Sequence, residues 1–212
     1  MGDRTNDLAM RWLAGWSAAS GHPWTEVDGA VRIEALMESR RIEYLLVEPD
    51  DAELADITAR IGGDSRDVVT IFTHEPQRYL VRHTGLVIDR DDEALMTVPL
   101  AVEAFDLPEG YEADWDEDGN RVNLTIVNDH ELAAGGNLAL VDGDAIFDRI
   151  ETMPRFQRRG LGSIVMRSLT SWAVARGADT GILAASADGQ KLYGHLGWTN
   201  ECAMIMLRGS EG

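Results

Sequence analysis

Apolar side chains near the amino end recur at four-residue spacing, at Leu8, Trp12 and Trp16. Those positions share one face of a helix, so Asp7 to Ala19 is predicted to be an amphipathic helix whose aromatic stripe belongs to the core. The pattern then shortens to a period of two. Val31 to Met37 and Arg41 to Glu48 read as strands joined by a short turn. Asp50 and Asp51 offer an N-cap for a helix through Ile61, closed by Gly62 and Gly63. Val68 to Thr73 fits a short buried strand and Pro76 to His83 a helix. Gly85 to Asp89 and Ala94 to Val98 complete an α/β unit in which no motif carries recognisable chemistry.

From Tyr111 the pattern becomes a β-meander. Its strands are predicted at Tyr111 to Asp116, Val122 to Val127, Leu132 to Leu140 and Ala145 to Thr152. Asp118-Gly119, Asn128-Asp129 and Asp142-Gly143 are the turn signals between them. A helix follows from about Gly160 to Arg176, with Leu161, Ile164, Val165, Leu169, Trp172 and Ala173 on one face and Gly177 to end it. Gly181 to Ala185 reads as a strand, Gln190 to Leu196 as a short helix, and Cys202 to Leu207 as a closing strand. The fold class is α/β with a mixed sheet. Pro99, Pro108 and Gly110 cluster where a boundary would divide an N-terminal α/β lobe, 1–100, from a second domain, 101–212.

Composition narrows the partners. The formal net charge of −18 argues against nucleic-acid binding through a basic face. No apolar run approaches the roughly 20 residues that span a bilayer, and the amino end lacks the pattern of a signal peptide. Cys202 is the only cysteine, which excludes an internal disulfide and a cysteine-based zinc site. A cytoplasmic protein with no metal and no membrane or nucleic-acid partner is expected.

Against this acidity, Gln157-Arg158-Arg159-Gly160-Leu161-Gly162 stands out. Two glycines two apart carry no Cβ and let the backbone approach a ligand. Free N–H groups at a helix start, aided by the helix dipole, favour an anion there, and two arginines add positive charge.

The loop, its strand and its helix resemble the GNAT superfamily, the GCN5-related N-acetyltransferases. The family's loop follows Gln/Arg-x-x-Gly-x-Gly/Ala, matched by Gln157, Gly160 and Gly162. Its preceding strand ends in a short segment before a proline, as Ile150-Glu151-Thr152-Met153-Pro154 does. Leu192-Tyr193-Gly194-His195-Leu196-Gly197-Trp198 resembles the family's LY-x-x-LG-aromatic signature. The loop alone is weakly specific; the two signatures together are strongly so, although they span only about a quarter of the chain.

The resemblance implies an acyl-coenzyme A N-acyltransferase fold, a central and mostly antiparallel sheet flanked by helices. It implies acetyl-CoA as cosubstrate and direct attack by the amine of a small-molecule or peptide acceptor; a homodimer is compatible with it. Gln157, Arg158, Arg159, Gly160, Leu161, Gly162 and Ser163 would cradle the pyrophosphate, and the backbone of Ile150, Glu151 and Thr152 would hold the pantetheine arm and the thioester carbonyl. Tyr193 matches the usual general acid; in the other reading its ring packs under the cofactor and gives no proton. Glu151 is the first candidate for the general base. If strand alternation turns it outward, Asp148 or Ile150 faces inward instead. His195 reads as a surface or packing residue and His130 as a turn residue.

Two departures from the family pattern matter. Ser186 stands where many members place an Asn that bonds the pantetheine; its hydroxyl can still donate or accept. The usual opening strand and two helices are not evident ahead of the meander, so residues 1–100 supply them in altered form or make a separate, degenerate lobe that shapes the acceptor site. The acidic run Glu112, Asp114, Asp116, Glu117 and Asp118 reads first as a solvated edge, and otherwise as an attractor of a cationic amine.

A Rossmann reading fails because Val165 occupies the third glycine position of G-x-G-x-x-G and no acidic strand end follows. No Gly-Lys-Ser/Thr occurs, which excludes a Walker A loop. The remaining rival is a non-catalytic acyl-CoA sensor or interaction module, which would bind acetyl-CoA but show no dependence on Tyr193.

Overall fold

The computed structural model describes residues 2–35, 37–61, 63–81 and 85–210. Its elements run α1 (Gly2–Ser20), β1 (Trp24–Val27), β2 (Ala30–Glu34), β3 (Ile42–Val47), α2 (Asp51–Ile61), β4 (Asp67–Thr73) and β5 (Leu86–Pro99). The meander follows as β6 (Tyr111–Asp118), β7 (Arg121–Asn128), β8 (Glu131–Val141) and β9 (Asp144–Thr152). Then come α3 (Leu161–Val174), β10 (Thr180–Ala185), α4 (Ala187–His195) and β11 (Thr199–Gly209).

Among the described residues, eleven strands make one sheet in the order β1-β2-β3-β4-β11-β5-β10-β9-β8-β7-β6. Only the β3–β4 and β9–β10 pairs are parallel. The last strand, β11, lies between β4 and β5, while β5 pairs on its other side with β10. Strands from the first hundred residues and from the remainder therefore alternate at the middle of the sheet.

Side-chain alternation sorts the two faces. On one, Leu8, Ala9, Trp12 and Leu13 of α1 pack against Ile33, Leu45, Phe72, Leu95, Ile146 and Met204. The other carries two helices. Leu161, Val165 and Leu169 of α3 cover Leu124, Leu138 and Leu183, while Leu54, Ile57 and Ile61 of α2 cover Val69, Ile71 and Ile205. An isolated helix of this length is marginal in water. Each buried Leu, Ile or Phe contributes about 1.5–3 kcal/mol, so these facing stripes hold the helices in place.

Several elements depart from the sequence pattern. Strand β1 was not expected, and its Thr25 and Glu26 are exposed, which removes the apolar signal. The two short strands around residues 85–98 are one strand, β5. The charged run Asp89 to Glu93 breaks its apolar pattern, yet backbone pairing with β11 continues through it with shifts of register. The helix expected from Pro76 shrinks to a 3₁₀ turn, Pro76–Arg78. There the chain turns in, and the phenol of buried Tyr79 donates to the Pro49 carbonyl at 2.8 Å. His83 and Gly62 lie outside the described residues.

The acidic run occupies β6, an edge strand with Glu112 through Asp118 exposed. Glu117 pairs with Arg176 at 2.6 Å and Asp118 with Arg121. A row of carboxylates along a sheet edge discourages pairing with another chain.

One glycine of β8 permits close packing that bears on the site. A Cβ on Gly135 would lie 2.7 Å from the Leu124 carbonyl oxygen, a backbone atom that cannot yield cheaply. Gly135→Ala is therefore expected to destabilise the protein by about 1–3 kcal/mol. Thermal denaturation would read this as a loss of several degrees; an unchanged melting temperature would contradict the packing.

Candidate active site

Strands β9 and β10 pair only over Asp144–Ile146 and Thr180–Ile182. Beyond those residues they part. A bulge bends β9 at this point: Asn137 pairs with Asp148 and Gly135 with Glu151, leaving Arg149 and Ile150 against Gly136 alone. Arg149 takes a left-handed backbone, φ 51°, to make the extra step. Ile146 packs under α1, so Asp148, two residues on, faces the same side. Ile150, past the bulge, packs instead with the core beneath α3.

The gap opens a cavity of about 880 Å3, within the range of small-molecule sites (roughly 300–1,000 Å3). Trp12 and Trp16 of α1 line it on one face of the sheet, and Tyr193 of α4 on the other. It thus passes through the sheet. Five cationic and five acidic side chains line it, a local balance on a chain of net charge −18.

The glycine loop forms one end. A 3₁₀ turn, Pro154–Phe156, buries Phe156 and anchors the loop. The Gln157 amide then donates to the Thr152 carbonyl at 3.2 Å, tying the loop to the end of β9. Arg158 and Gly160 both have left-handed backbones, φ 62° and 79°, and Gly160 caps α3. Among the described residues, nothing beyond its chain neighbours lies within 4 Å of a Cβ placed on Gly160, so glycine is required there by backbone angle and not by space. At Gly162 a Cβ would stand 3.2 Å from Leu192, so that position is held by close packing on α4.

The two loop arginines have different fates. Arg158 lines the cavity and makes no ion pair among the described residues. Arg159 turns away: it donates to the Tyr111 hydroxyl at 3.1 Å and the Arg155 carbonyl at 3.2 Å, and lies over the Phe156 ring. The cavity brings together Ile150, Glu151, Thr152, Gln157, Arg158, Gly160, Leu161, Gly162, Ser163, Ser186 and Tyr193, but not Arg159. The Ser186 oxygen also caps α4, accepting from the Gly189 N–H at 3.3 Å. None of the acidic run on β6 lines the cavity.

Electrostatics single out Asp148 and Tyr193. Burial lifts the Asp148 carboxyl above the usual carboxylate range, against the opposing pull of Arg149 and His22. Burial, with the Asp148 charge as a second cause, pushes the Tyr193 phenol up to about 12. Its ring is held against Trp198 at 5.8 Å. Glu151 is exposed on the same wall. His195 is exposed too, with its ring nitrogen fixed on the Lys191 carbonyl.

Sequence reasoning did not assign Trp12, Trp16, Arg40, Glu43, Arg90, Glu93, Met204 or Met206 to the cavity, all of which line it. One signal was available. Glu43 shares the inward face of β3 with Leu45, and a carboxylate at a core position is unusual.

Comparison with known proteins settles the family. The acetyltransferase (GNAT) family model matches residues 88–198, more than half of the chain. The chain belongs to the GNAT acetyltransferase family. Among solved structures, a GCN5-related N-acetyltransferase from Kribbella flavida is similar, with 18% identity and a TM-score of 0.71, over 100% of this chain and 97% of that one. A putative GNAT-family acetyltransferase from Novosphingobium aromaticivorans has 18% identity and a TM-score of 0.63, over 96% and 97%. A GCN5-related N-acetyltransferase from Sphaerobacter thermophilus has 13% identity and a TM-score of 0.61, over 85% and 76%. At these identities the likeness concerns the fold, and in the Kribbella protein it extends over the part ahead of residue 88. A search of curated proteins finds no match. GNAT membership supports an acyltransferase. Among the described residues no helix is long and apolar enough to cross a membrane, and no group of three or more His, Cys, Asp or Glu is placed to hold a metal ion.

The shared burial of Asp148 and Tyr193 is testable by ultraviolet titration of phenolate, using Tyr193→Phe to isolate the one tyrosine. The Tyr193 step is expected near pH 12. Because a nearby negative charge disfavours phenolate, Asp148→Asn should move that step to lower pH. A step near the ordinary tyrosine value, unmoved by Asp148→Asn, would contradict the geometry.

Proposed function

We propose that the protein transfers the acetyl group of acetyl-CoA to an amine by direct attack in the gap between β9 and β10. The observation that carries this reading is the shared cavity: an unpaired Arg158 and a left-handed glycine turn at one end, with Asp148 and Tyr193 at the gap. The N–H groups at the start of α3, helped by Arg158, suit the pyrophosphate of coenzyme A. The edge of β9 from Ile150 to Thr152 no longer pairs with β10, which leaves room there for the pantetheine arm and the thioester carbonyl.

Transfer requires the amine nitrogen to bond to the carbonyl carbon while the carbon–sulfur bond breaks. The amine must attack unprotonated, and a carboxylate at the gap can take the proton of its ammonium form. Glu151 remains a candidate, but the buried position of Asp148 favours it, since a raised carboxyl is a stronger base. Tyr193 is assigned to the sulfur. Burial, which pushes its phenol up to about 12, keeps the proton on the tyrosine oxygen. We therefore assign it as a hydrogen-bond donor to the departing thiolate. An acyl-CoA sensor would use the same loop but gain nothing from Tyr193.

Coenzyme A release can be followed with a thiol reagent, because burial pushes the Cys202 thiol up to about 12 and leaves it unreactive. Tyr193→Phe should leave acetyl-CoA binding unchanged by calorimetry and slow transfer by roughly 10–100-fold, the worth of one hydrogen bond to a charged group. A loss beyond a thousandfold would indicate full proton donation, and no loss would favour the sensor. Gly160→Val should weaken acetyl-CoA binding at least tenfold, as a β-branched residue resists the left-handed turn.

The rate should fall as pH drops through the raised pKa of Asp148, because the protonated acid cannot accept a proton. Asp148→Asn should abolish that limb, whereas Glu151→Gln should keep it. The opposite pattern would return the role to Glu151.

A further inference from the structure

A second group of charges lines the same cavity on the opposite side of β10 from the glycine loop, and the proposed transfer does not use it. Ala185, which ends β10, pairs with Ala94 of β5, so Glu93 stands one residue from the gap. Glu93 lies opposite Met204 and Arg90 opposite Met206 on β11; Met206 in turn lies opposite Thr70 on β4. Arg40 and Glu43 reach the same place from the far side, and Glu93, Arg90, Met204, Met206, Arg40 and Glu43 all line the cavity.

The bonding within this group is uneven. Both oxygens of buried Glu43 are engaged, one by the Thr70 hydroxyl at 2.5 Å and one by Arg40 Nη1 at 2.6 Å. Arg40 Nη2, however, has the Met206 sulfur, at 3.3 Å, as its one hydrogen-bond acceptor among the described residues, and a thioether is a weak acceptor. Glu93 Oε1 accepts from Arg90 Nη1 at 2.8 Å, while its Oε2 has no hydrogen bond among the described residues, although the side chain is 15% exposed. That oxygen is not sealed from the cavity, so a donor on a bound ligand can reach it.

The seat thus presents an open acceptor beside the gap and an underused guanidinium donor deeper in. Met204 and Met206, which mark those two points, are two residues apart on β11, about 7 Å. The chemistry that satisfies both is an ammonium on Glu93 and a carboxylate on Arg40, with the carbon skeleton between them against Met204 and Met206. We propose that this is the acceptor seat, and that it selects an amine that also carries a carboxylate, of the amino-acid type. The assignment rests on the acetyl-transfer reading. Glu93 and Arg40 hold the acceptor, and the ammonium end is the one presented to the gap.

The test compares acetyl transfer to free α- and ω-amino acids with transfer to the primary amide of each, followed by mass spectrometry, alongside calorimetry of acetyl-CoA. The best acceptor should be a carboxylate-bearing member, favoured at least tenfold in kcat/KM over its amide. Arg40→Met alone would strand a buried carboxylate, so it is paired with Glu43→Gln. That double variant should raise KM for the acid at least tenfold, leave KM for the amide unchanged and preserve the dissociation constant of acetyl-CoA. Glu93→Gln should raise KM for acid and amide alike.

Failure to bind acetyl-CoA would overturn the transfer reading itself. If acetyl-CoA binds but amides serve as well as acids, or no member of the panel is acetylated, the seat assignment is wrong. It is equally wrong if a folded double variant retains the preference for the acid. The wild-type comparison decides the matter even if the variants do not fold.

Discussion

The parting of β9 from β10 after three paired residues is the constraint on which the site depends. Parallel strands held in register to their ends would leave no passage through the sheet. Here the bulge at Arg149 and Ile150 turns β9 aside and exchanges its faces, which puts Asp148 under α1 and Ile150 under α3. The separated strand ends no longer pair with each other, which leaves room between them for an elongated ligand. The left-handed residue at the bulge costs about 1–2 kcal/mol. Packing of α1 on one face and α3 on the other secures it.

Burial and charge then divide the cavity into regions. The same exclusion of water raises both the Asp148 carboxyl and the Tyr193 phenol. A carboxylate made more basic and a phenol that stays protonated suit the proposed amine deprotonation and thiolate departure. Arg158 at one end and Arg40 at the other are cations with unspent donors in an otherwise acidic protein. They suit two different anionic groups, one on each side of β10.

Much of this could be read from the chain, and what could not has physical causes. The glycine loop, Tyr193 and Ser186 lie close together in sequence, so local signatures could point to them, and all but Arg159 line the cavity. Within the loop, however, Arg158 and Arg159 are indistinguishable as letters; only the anchoring of Phe156 and the position of Tyr111 send Arg159 away. The choice between Asp148 and Glu151 was left open because a one-residue bulge inverts side-chain alternation without a sequence mark. Glu43, Arg90, Glu93, Met204 and Met206 come from three strands far apart in the chain and Arg40 from the loop before β3, and sheet order alone makes them neighbours. Trp12 and Trp16 belong to the α1 packing, as their spacing implies, and also line the cavity.

The central claim is that acetyl-CoA threads the gap with its pyrophosphate on the glycine loop. A crystal structure grown with coenzyme A tests it most directly. The account predicts pyrophosphate oxygens within hydrogen-bond distance of backbone N–H groups between Arg158 and Ser163, and the pantetheine arm between the separated ends of β9 and β10. Coenzyme A bound elsewhere on the protein, or leaving those N–H groups facing water, would contradict it.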